Sequence, residues 1–320
     1  MTERTRTKPR VGVSSCLLGH AVRYDGTDKR EMLIADQLSR YLDFIDFCPE
    51  VAIGLGVPRE TIMLVGSLKA PNAIGTQTPG HDVTQALKSY AQQTTPELVQ
   101  LCGYIVKTRS PSCGWQHVNI FKTPTDEPIA RGRGLFIAEV HRKLPYLPII
   151  DEEALKEPEK RLLFLESVFA LFQWQQLTTA ALSLSKLTEF HSRYKYSLMA
   201  RSQIDYRDLG QFVASISTDE LHSKSQRYLQ LLMHSLNKAP TPQNHANVLQ
   251  HLVGYFKKQL TPQEKQDLNQ SIERYQNALC PLSQPINLLK ALLSKYPNDY
   301  LSHQAYLFPY PDALNDIARC

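Results

Sequence analysis

The first half of the chain alternates between short apolar runs and amphipathic stretches, and this alternation restricts the fold more than any other feature. The apolar runs predict β-strands at Val11–Ser15, Phe44–Phe47, Ile62–Val65, Tyr104–Val106 and Leu147–Ile150. Between them, apolar residues at helical spacing predict helices at Asp28–Tyr41, His81–Gln100 and Gly134–Lys143. Strands that alternate with helices form parallel sheets. We therefore expect an α/β domain with a mostly parallel sheet over residues 8–150.

The sequence changes in texture after the acidic run that begins at Asp151. Glycine nearly vanishes, since Gly210 and Gly254 are the only two left. Ser217-Thr-Asp-Glu220 and Thr261-Pro-Gln-Glu264 have the pattern of a capping box, which marks the start of a helix. We predict helices at 157–182, 184–201, 205–215, 218–237, 241–260, 262–279 and 283–295. Residues 155–320 are therefore expected to form an all-α domain.

Composition excludes several classes of protein. Of the 320 residues, 42% are hydrophobic and 21% are charged, which is ordinary for a globular protein with buried cores. No apolar run approaches the roughly 20 residues that a membrane-spanning helix needs. The charged segment Met1–Arg10 is not followed by an apolar stretch typical of a signal peptide. We expect a cytoplasmic protein that does not span a membrane.

Three cysteines stand where predicted strands end: Cys16, Cys48 and Cys113. In open α/β sheets, ligands bind beyond the carboxyl ends of the strands, so these thiols are expected to converge although they are distant in sequence. Three thiolates suit a soft metal ion or an iron–sulfur cluster. A 4Fe–4S cluster with three protein ligands leaves one iron open to a substrate. The alternative is that the three residues are small buried hydrophobic side chains.

The remaining cysteines lack such a setting. A cytosolic chain with six cysteines is not expected to carry a disulfide framework. Cys102, Cys280 and Cys320 have no supporting cluster of polar residues around them in the sequence, so we expect structural roles for all three.

Polar and charged residues surround the strand-end cysteines. Glu50 follows Cys48 after one proline, which restricts the backbone and would hold the carboxylate near a metal. That carboxylate could transfer protons, or it could simply begin a helix. Ser110 and Ser112 precede Cys113, where their hydroxyls could donate to a bound anion or cap a turn.

Cations and an aromatic residue complete the candidate site. Lys107 and Arg109 would favour a nearby thiolate or another anion, or they could be solvated charges at the end of a strand. Arg23, Tyr24 and Arg59 lie in predicted loops with a composition that suits substrate positioning, although such loops also occur merely to close turns.

Three motifs in order resemble the thiouracil desulfidase family. They are Cys16-Leu-Leu-Gly19 with Arg23-Tyr24-Asp25-Gly26, Cys48-Pro49-Glu50 with Pro58-Arg59, and Lys107-Thr-Arg-Ser-Pro-Ser-Cys113-Gly114. The resemblance covers about residues 8–150. The helical half resembles the YbgA-like domain, through His191–Ala200 and Pro281–Pro311. The fused arrangement is similar to that of desulfidases acting on 4-thiouridine in tRNA.

The resemblance implies a cofactor, a reaction and roles for residues. It implies a 4Fe–4S cluster held by Cys16, Cys48 and Cys113, with Glu50 and Ser110 as the catalytic acid–base residues. The implied reaction replaces the thiocarbonyl sulfur of 4-thiouridine by oxygen, giving uridine and sulfide without net redox change. Substrate-positioning roles are expected for the remaining polar residues of the three motifs, which are Arg23, Tyr24, Arg59, Lys107, Arg109 and Ser112.

The nature of the substrate is less constrained by the sequence. The resemblance favours tRNA, but residues 151–320 carry 18 Lys and Arg against 17 Asp and Glu, a net charge of only +1. Interleaved cations and tyrosines at Arg193–Tyr196 suit RNA binding, although tyrosines at helical spacing are usually core residues. One alternative is a desulfidase of free thiouracil bases. Another is a non-catalytic iron–sulfur sensor or RNA-binding adaptor.

Overall fold

A computed structural model describes residues 7–78, 80–179 and 181–319. The chain divides into two compact units, one running to Phe172 and including the segment from Leu314, the other spanning Gln173–Ala313. The predicted division near residue 150 stays a prediction. Strands are β1 Arg10–Ser14, β2 Asp43–Phe47, β3 Ile62–Ser67, β4 Ala70–Gly75, β5 Gly103–Val106, β6 Val118–Phe121, β7 Pro128–Gly132 and β8 Ile149–Asp151.

The helices follow in the same chain order. Those that begin in the first 160 residues are α1 Pro49–Ala52, α2 Thr84–Gln93, α3 Thr95–Leu98, α4 Leu135–Lys143, α5 Glu152–Lys156 and α6 Pro158–Thr179. Those that begin later are α7 Leu184–Arg201, α8 Gln203–Ala214, α9 Leu221–Leu236, α10 Pro242–Phe256, α11 Pro262–Gln276, α12 Ser283–Lys295, α13 Asp299–Ser302 and α14 Asn315–Arg319. None of the described helices is long and apolar enough to cross a lipid bilayer.

A parallel sheet organises the first unit. Its strands lie in the order β2-β1-β5-β8, and β1 pairs in parallel with β2 and β5, as β5 does with β8. Val11, Val13 and Ile105 are completely buried, as expected for strands covered on both faces. The predicted α/β domain with a mostly parallel sheet is confirmed. Because the strands are parallel, the carboxyl ends of β1, β2 and β5 lie at one edge.

A second sheet differs from the prediction. The strand predicted at Ile62–Val65 does not join the parallel sheet but pairs with β4 and β6, in a sheet of order β4-β3-β6-β7. Two of its three pairings are antiparallel. The strands β4, β6 and β7 were not predicted, because β4 and β7 contain proline and β6 is only four residues long. Their existence depends on pairing rather than on local pattern.

The helix predicted at Asp28–Tyr41 is wrong. In its place the structure has a short π-helical turn at Leu33–Gln37 and a 3-10 turn at Leu38–Arg40. The backbone amides of Lys29 and Glu31 donate to the carbonyl oxygens of Cys16 and Leu17, both at 2.9 Å. These bonds hold the residues before Met32 against the loop after β1, outside the helical turns.

The helices α6 to α12 agree with the seven predicted helices to within a few residues. The short helices α13 and α14 were not predicted. Pro242 and Pro262 occupy first helical positions, and Thr261 forms a complete capping box with Glu264. The box predicted at Ser217 is wrong, because the Glu220 carboxylate accepts bonds from Ser217 but α9 begins only at Leu221. Buried side chains of α7, α10, α11 and α12 share one core, as amphipathic helices require.

Candidate active site

The three strand-end cysteines line one cavity of about 370 Å³ in the first unit. Cys16 lies in a 3-10 turn directly after β1, and Cys48 follows β2 and precedes α1. Cys113 lies in the loop after β5, and both Cys16 and Cys113 are buried. The first and last of these thiols, Cys16 and Cys113, are 97 residues apart in sequence. The structure brings all three together because parallel strands end at the same edge of a sheet.

Glu50 is held on both carboxylate oxygens. Arg59 donates from Nε and Nη2 to Oε2 of Glu50, at 3.0 and 2.9 Å. Ser112 donates from Oγ to Oε1 at 2.7 Å. The side chains of Arg59 and Glu50 are only 6% and 14% exposed, so this pair is largely shielded from solvent. Glu50 also lies in the first turn of α1, so it belongs to the start of a helix and lines the cavity as well.

The two serines link the carboxylate to the turn that carries Cys113. The Ser110 hydroxyl oxygen accepts from the backbone amide of Cys113 at 3.1 Å, and it lies 3.0 Å from the Ser112 hydroxyl oxygen. Since Ser112 donates to Glu50, the hydroxyl proton of Ser110 has a path to that carboxylate through one intermediate oxygen. Ser110 therefore caps a turn and also joins a polar chain inside the cavity.

Lys107 has a partner that the sequence analysis missed. Its ammonium group pairs with Glu152, a buried carboxylate at the start of α5. The second carboxylate oxygen of Glu152 accepts from the backbone amide of Thr108 at 2.7 Å. The sequence signal was the acidic run after β8, which we interpreted only as a domain boundary. Glu152 instead anchors the loop that leads to the serines.

Ser14 at the end of β1 was also missed. Its hydroxyl oxygen accepts from the backbone amide of Lys107 at 2.9 Å, which ties β1 to the loop after β5. Ser14 lines the cavity with Ser15, Lys29 and Thr61, none of which stood out in the sequence.

The predicted positioning residues all line the same cavity. The Arg23 guanidinium lies over the ring of Tyr24, 5.2 Å from its centroid, and this tyrosine is 42% exposed. The Tyr24 carbonyl accepts from the backbone amide of Arg59 at 2.9 Å, so two of the predicted loops are tied together. Arg109 is exposed and has a left-handed backbone, with φ of 61°.

Comparisons with known proteins match both halves of the chain. The model of the family described as 2-thiouracil desulfurase matches residues 11–152, and that of a family of proteins of unknown function, DUF1722, matches residues 195–311. The chain is 36% identical over 153 residues to the uncharacterized protein YbgA of Escherichia coli K12, covering 46% of this chain and 88% of that protein. The chain belongs to the thiouracil desulfidase family, with a YbgA-like helical domain.

A solved structure is also similar to part of this desulfidase-family chain. It is the [4Fe-4S]-dependent thiouracil desulfidase TudS, 28% identical, matched over 47% of this chain and 94% of its own at a TM-score of 0.38.

The thiols of this desulfidase-family chain fit an iron–sulfur cluster by their chemistry. Burial, and secondly the Cys48 thiol, raise the pKa of Cys16 to about 11. Burial raises the pKa of Cys113 to about 12, with Glu50 and Cys48 adding to the effect. A bound cluster would supply the positive charge that stabilises thiolates at such buried positions. Among the described residues, no three His, Cys, Asp or Glu side chains are placed to hold a single metal ion. A cluster, by contrast, contains several iron atoms.

Cys102 and Cys280 are not among the residues that line this cavity. Cys102 is buried before β5 and is not among the residues that line the cavity. Cys280 belongs to the second unit and donates to the Ser271 carbonyl at 3.6 Å. Cys320 lies outside the described residues, so its predicted structural role stays a prediction.

Proposed function

We propose that this protein is a 4Fe–4S-dependent desulfidase that removes the sulfur of 4-thiouridine in tRNA, giving uridine and hydrosulfide. The observation that carries the proposal is one cavity lined by three unpaired thiols together with Glu50 and Ser110. Cys16, Cys48 and Cys113 would hold the cluster. When bound, the cluster supplies a Lewis-acidic iron for the thiocarbonyl sulfur.

The chain's own residues supply the proton transfers. Glu50 is oriented by Arg59 and Ser112, and it takes a proton from the water that attacks the ring carbon. The hydroxyl oxygens of Ser112 and Ser110, 3.0 Å apart, continue the hydrogen-bonded path from the same carboxylate. A proton can be passed along this path toward the departing sulfur. Water adds its oxygen to the carbon and the C–S bond breaks. No atom changes its net oxidation state, so the reaction needs no electron donor.

Charge at the cavity supports a phosphate-bearing substrate. Arg59 and Lys107 are neutralised by Glu50 and Glu152. Lys29 and Arg109 also line the cavity and are exposed, and within the described ranges neither has a carboxylate within 4.0 Å. Two cations without a carboxylate partner at the opening suit the backbone of RNA, since phosphate contacts dominate the affinity of such complexes.

Substrate competition tests the proposal. The protein is reconstituted with iron and sulfide without oxygen, and the sulfide released from tRNA containing 4-thiouridine is compared with that from free 4-thiouracil. We expect kcat/KM to be higher for tRNA by at least tenfold, with uridine appearing in the digested tRNA. Lys29→Met with Arg109→Met should reduce turnover of tRNA more than turnover of the free base.

Two other results would point to other functions. Turnover of free 4-thiouracil with unchanged tRNA would make the protein a desulfidase of free bases. The cavity of about 370 Å³ is large enough to hold a free base. A cluster that forms without turnover of either substrate would favour an iron–sulfur sensor or adaptor.

A further inference from the structure

The first turn of α4 is fastened to the loop that carries the third cavity cysteine. The backbone amide of Leu135 donates to the Pro111 carbonyl at 3.0 Å. Those of Phe136 and Ile137 donate to the Ser112 carbonyl at 3.1 and 3.3 Å. The first amides of a helix have no partner within the helix. The cysteine loop supplies that partner here, so the loop and the helix hold each other in place.

Gly134 directly precedes this turn, at a position where a capping side chain is usual. Ser, Thr, Asp and Asn are preferred there because their side-chain oxygens accept from the first amides of the helix. In α4 no side chain caps the helix, and the Ser112 carbonyl oxygen takes that role. Gly134 has φ of −62° and ψ of 149°, a conformation that any residue can adopt, so the backbone angles do not require glycine.

The space around Gly134 does require glycine. A Cβ atom at this position would lie 2.5 Å from the carbonyl carbon and oxygen of Ser112 and 2.8 Å from the backbone nitrogen of Cys113. Non-bonded carbon atoms pack at about 3.5–4.0 Å. The neighbours are backbone atoms, which cannot turn aside as the end of a side chain does. A side chain at position 134 would therefore displace the peptide bond that joins Ser112 to Cys113.

Gly114, on the other side of Cys113, is under the same constraint. Its carbonyl accepts from the Gly134 amide at 2.8 Å, so the two glycines are in direct contact, and both are buried. A Cβ atom at position 114 would lie 2.8 Å from the Ser110 carbonyl oxygen and 2.5 Å from a methyl group of Val118. The backbone on both sides of Cys113 thus packs directly against other backbone.

We propose that the contact between Gly134 and Gly114 positions Cys113 for the cluster, by letting the first turn of α4 approach the cysteine loop closely. Neither glycine lines the cavity, so both are positioning residues that act through the loop. The same displacement would move Ser112, which donates to Glu50. The inference rests on the cluster of the proposed function and not on the choice of substrate.

Retention of iron tests the proposal without reference to turnover. The full chain is reconstituted anaerobically, and the transfer of its iron to a ferrous-iron chelator is followed by absorbance. We expect Gly134→Ala and Gly114→Ala each to lose iron about tenfold faster than the parent, at the low end of the effect of changing groups that orient metal ligands. Gly132→Ala is the matched control, because the nearest neighbour of its added Cβ is the flexible end of the Ile120 side chain, at 2.7 Å.

Labelling of thiols separates a displaced Cys113 from a general loss of stability. Before iron is added, the full chain is treated briefly with iodoacetamide, and each labelled cysteine is quantified by mass spectrometry. Cys113 and Cys102 are both buried. In both test variants we expect Cys113 to be labelled several-fold faster than in the parent, because a shifted loop no longer shields it, while Cys102 keeps the parent rate. More frequent unfolding would instead raise both rates together.

The outcomes separate this inference from the proposed function. If both test variants lose iron like Gly132→Ala, or if the labelling of Cys102 rises with that of Cys113, the inference is wrong. If one test variant does not fold, as judged by thermal unfolding, the other decides. If neither folds, the glycines serve the fold as a whole and the inference is wrong.

A parent chain that forms no cluster would refute the proposed function and this inference together. A cluster that is lost faster in both glycine variants, in a protein that turns over neither substrate, would overturn the proposed reaction and leave the positioning of Cys113 standing.

Discussion

Ser112 donates to Glu50 at 2.7 Å, across 62 residues of sequence. The bond joins the motif of the second cysteine to the motif of the third. Arg59 binds the other carboxylate oxygen, and it also donates to the Val22 carbonyl at 2.9 Å in the loop that follows the first cysteine. One carboxylate thus connects the loops after three strands, and several predictions depend on this connection.

Replacing Glu50 by Gln should remove activity without removing the cofactor. The amide keeps the shape of the carboxylate but cannot take a proton, and general-base catalysis contributes typically 10²- to 10⁴-fold. We expect kcat to fall by about that factor, with iron and sulfide content unchanged. Glu127→Gln, on an exposed loop, should behave like the parent protein. Full activity in the Glu50 variant would show that another group takes the proton.

Replacing Arg59 by Met should destabilise the first unit. The substitution leaves the shielded Glu50 carboxylate without its partner, and breaking a buried pair in this way costs about 3–5 kcal/mol. Because the Glu50 side chain is 14% exposed, we expect the lower end of that range, measured by urea unfolding. Arg59→Met together with Glu50→Gln should recover part of the loss. No recovery would mean that the bond to Val22 matters more than the ion pair.

Glu152 is expected to position the loop that carries Lys107 to Ser110. Glu152→Gln removes the charge that holds the Lys107 ammonium, whereas the Thr108 amide can still donate to the remaining oxygen. We predict that KM for tRNA rises several-fold while the cluster content stays constant. The neighbouring, 63% exposed Glu153 is the control. A lower iron content in Glu152→Gln would instead place its effect on the cluster.

The three cavity cysteines should differ from the other cysteines in iron content. Substituting Ala for Cys16, Cys48 or Cys113 should each lower iron bound after reconstitution, because three thiolates are the fewest that anchor such a cluster here. Cys102→Ala and Cys280→Ser should keep the parent content, since neither residue lines the cavity. Retention of the full cluster in all three cavity variants would refute the ligand set.

Acid should destabilise the protein through His245. Burial, and secondly the charge of Arg201, lower the pKa of His245 to about 4. The unfolded chain, with the ordinary pKa near 6.5, takes up a proton first as the pH falls. The contribution of His245 to the free energy of unfolding should therefore be complete above about pH 6.5. It should be lost as the pH falls from about 6.5 to 4.

His245→Asn tests this origin, because asparagine can still hydrogen-bond the Tyr306 hydroxyl, now 2.8 Å from the histidine. The variant should show a shallower loss of stability over the same pH range. His222→Asn, at an exposed position, should leave the slope unchanged. The loss of stability that remains in His245→Asn is expected to come from His191, since burial also lowers the pKa of His191 to about 4.

Elements with a strong local pattern were predictable from sequence, and elements made by pairing were not. The parallel strands contain short apolar runs, and helices such as α7 and α12 match the predicted ranges at both ends. The second sheet was not foreseen, because β4 has the composition of a loop and becomes a strand only against β3. Asp28–Tyr41 has helical spacing, but its first residues bond to the loop after β1, and only Leu33–Arg40 forms short helical turns.

The same division holds for the site. The sequence alone determined which residues are candidates for the chemistry, since a thiol or carboxylate at the end of a strand is visible as a local motif. Only the tertiary structure decided that Ser112 bonds to Glu50 and that Lys107 pairs with Glu152. Those contacts depend on directions of side chains across 62 and 45 residues of chain. No local pattern encodes such a direction, because it is set when the strands pack side by side.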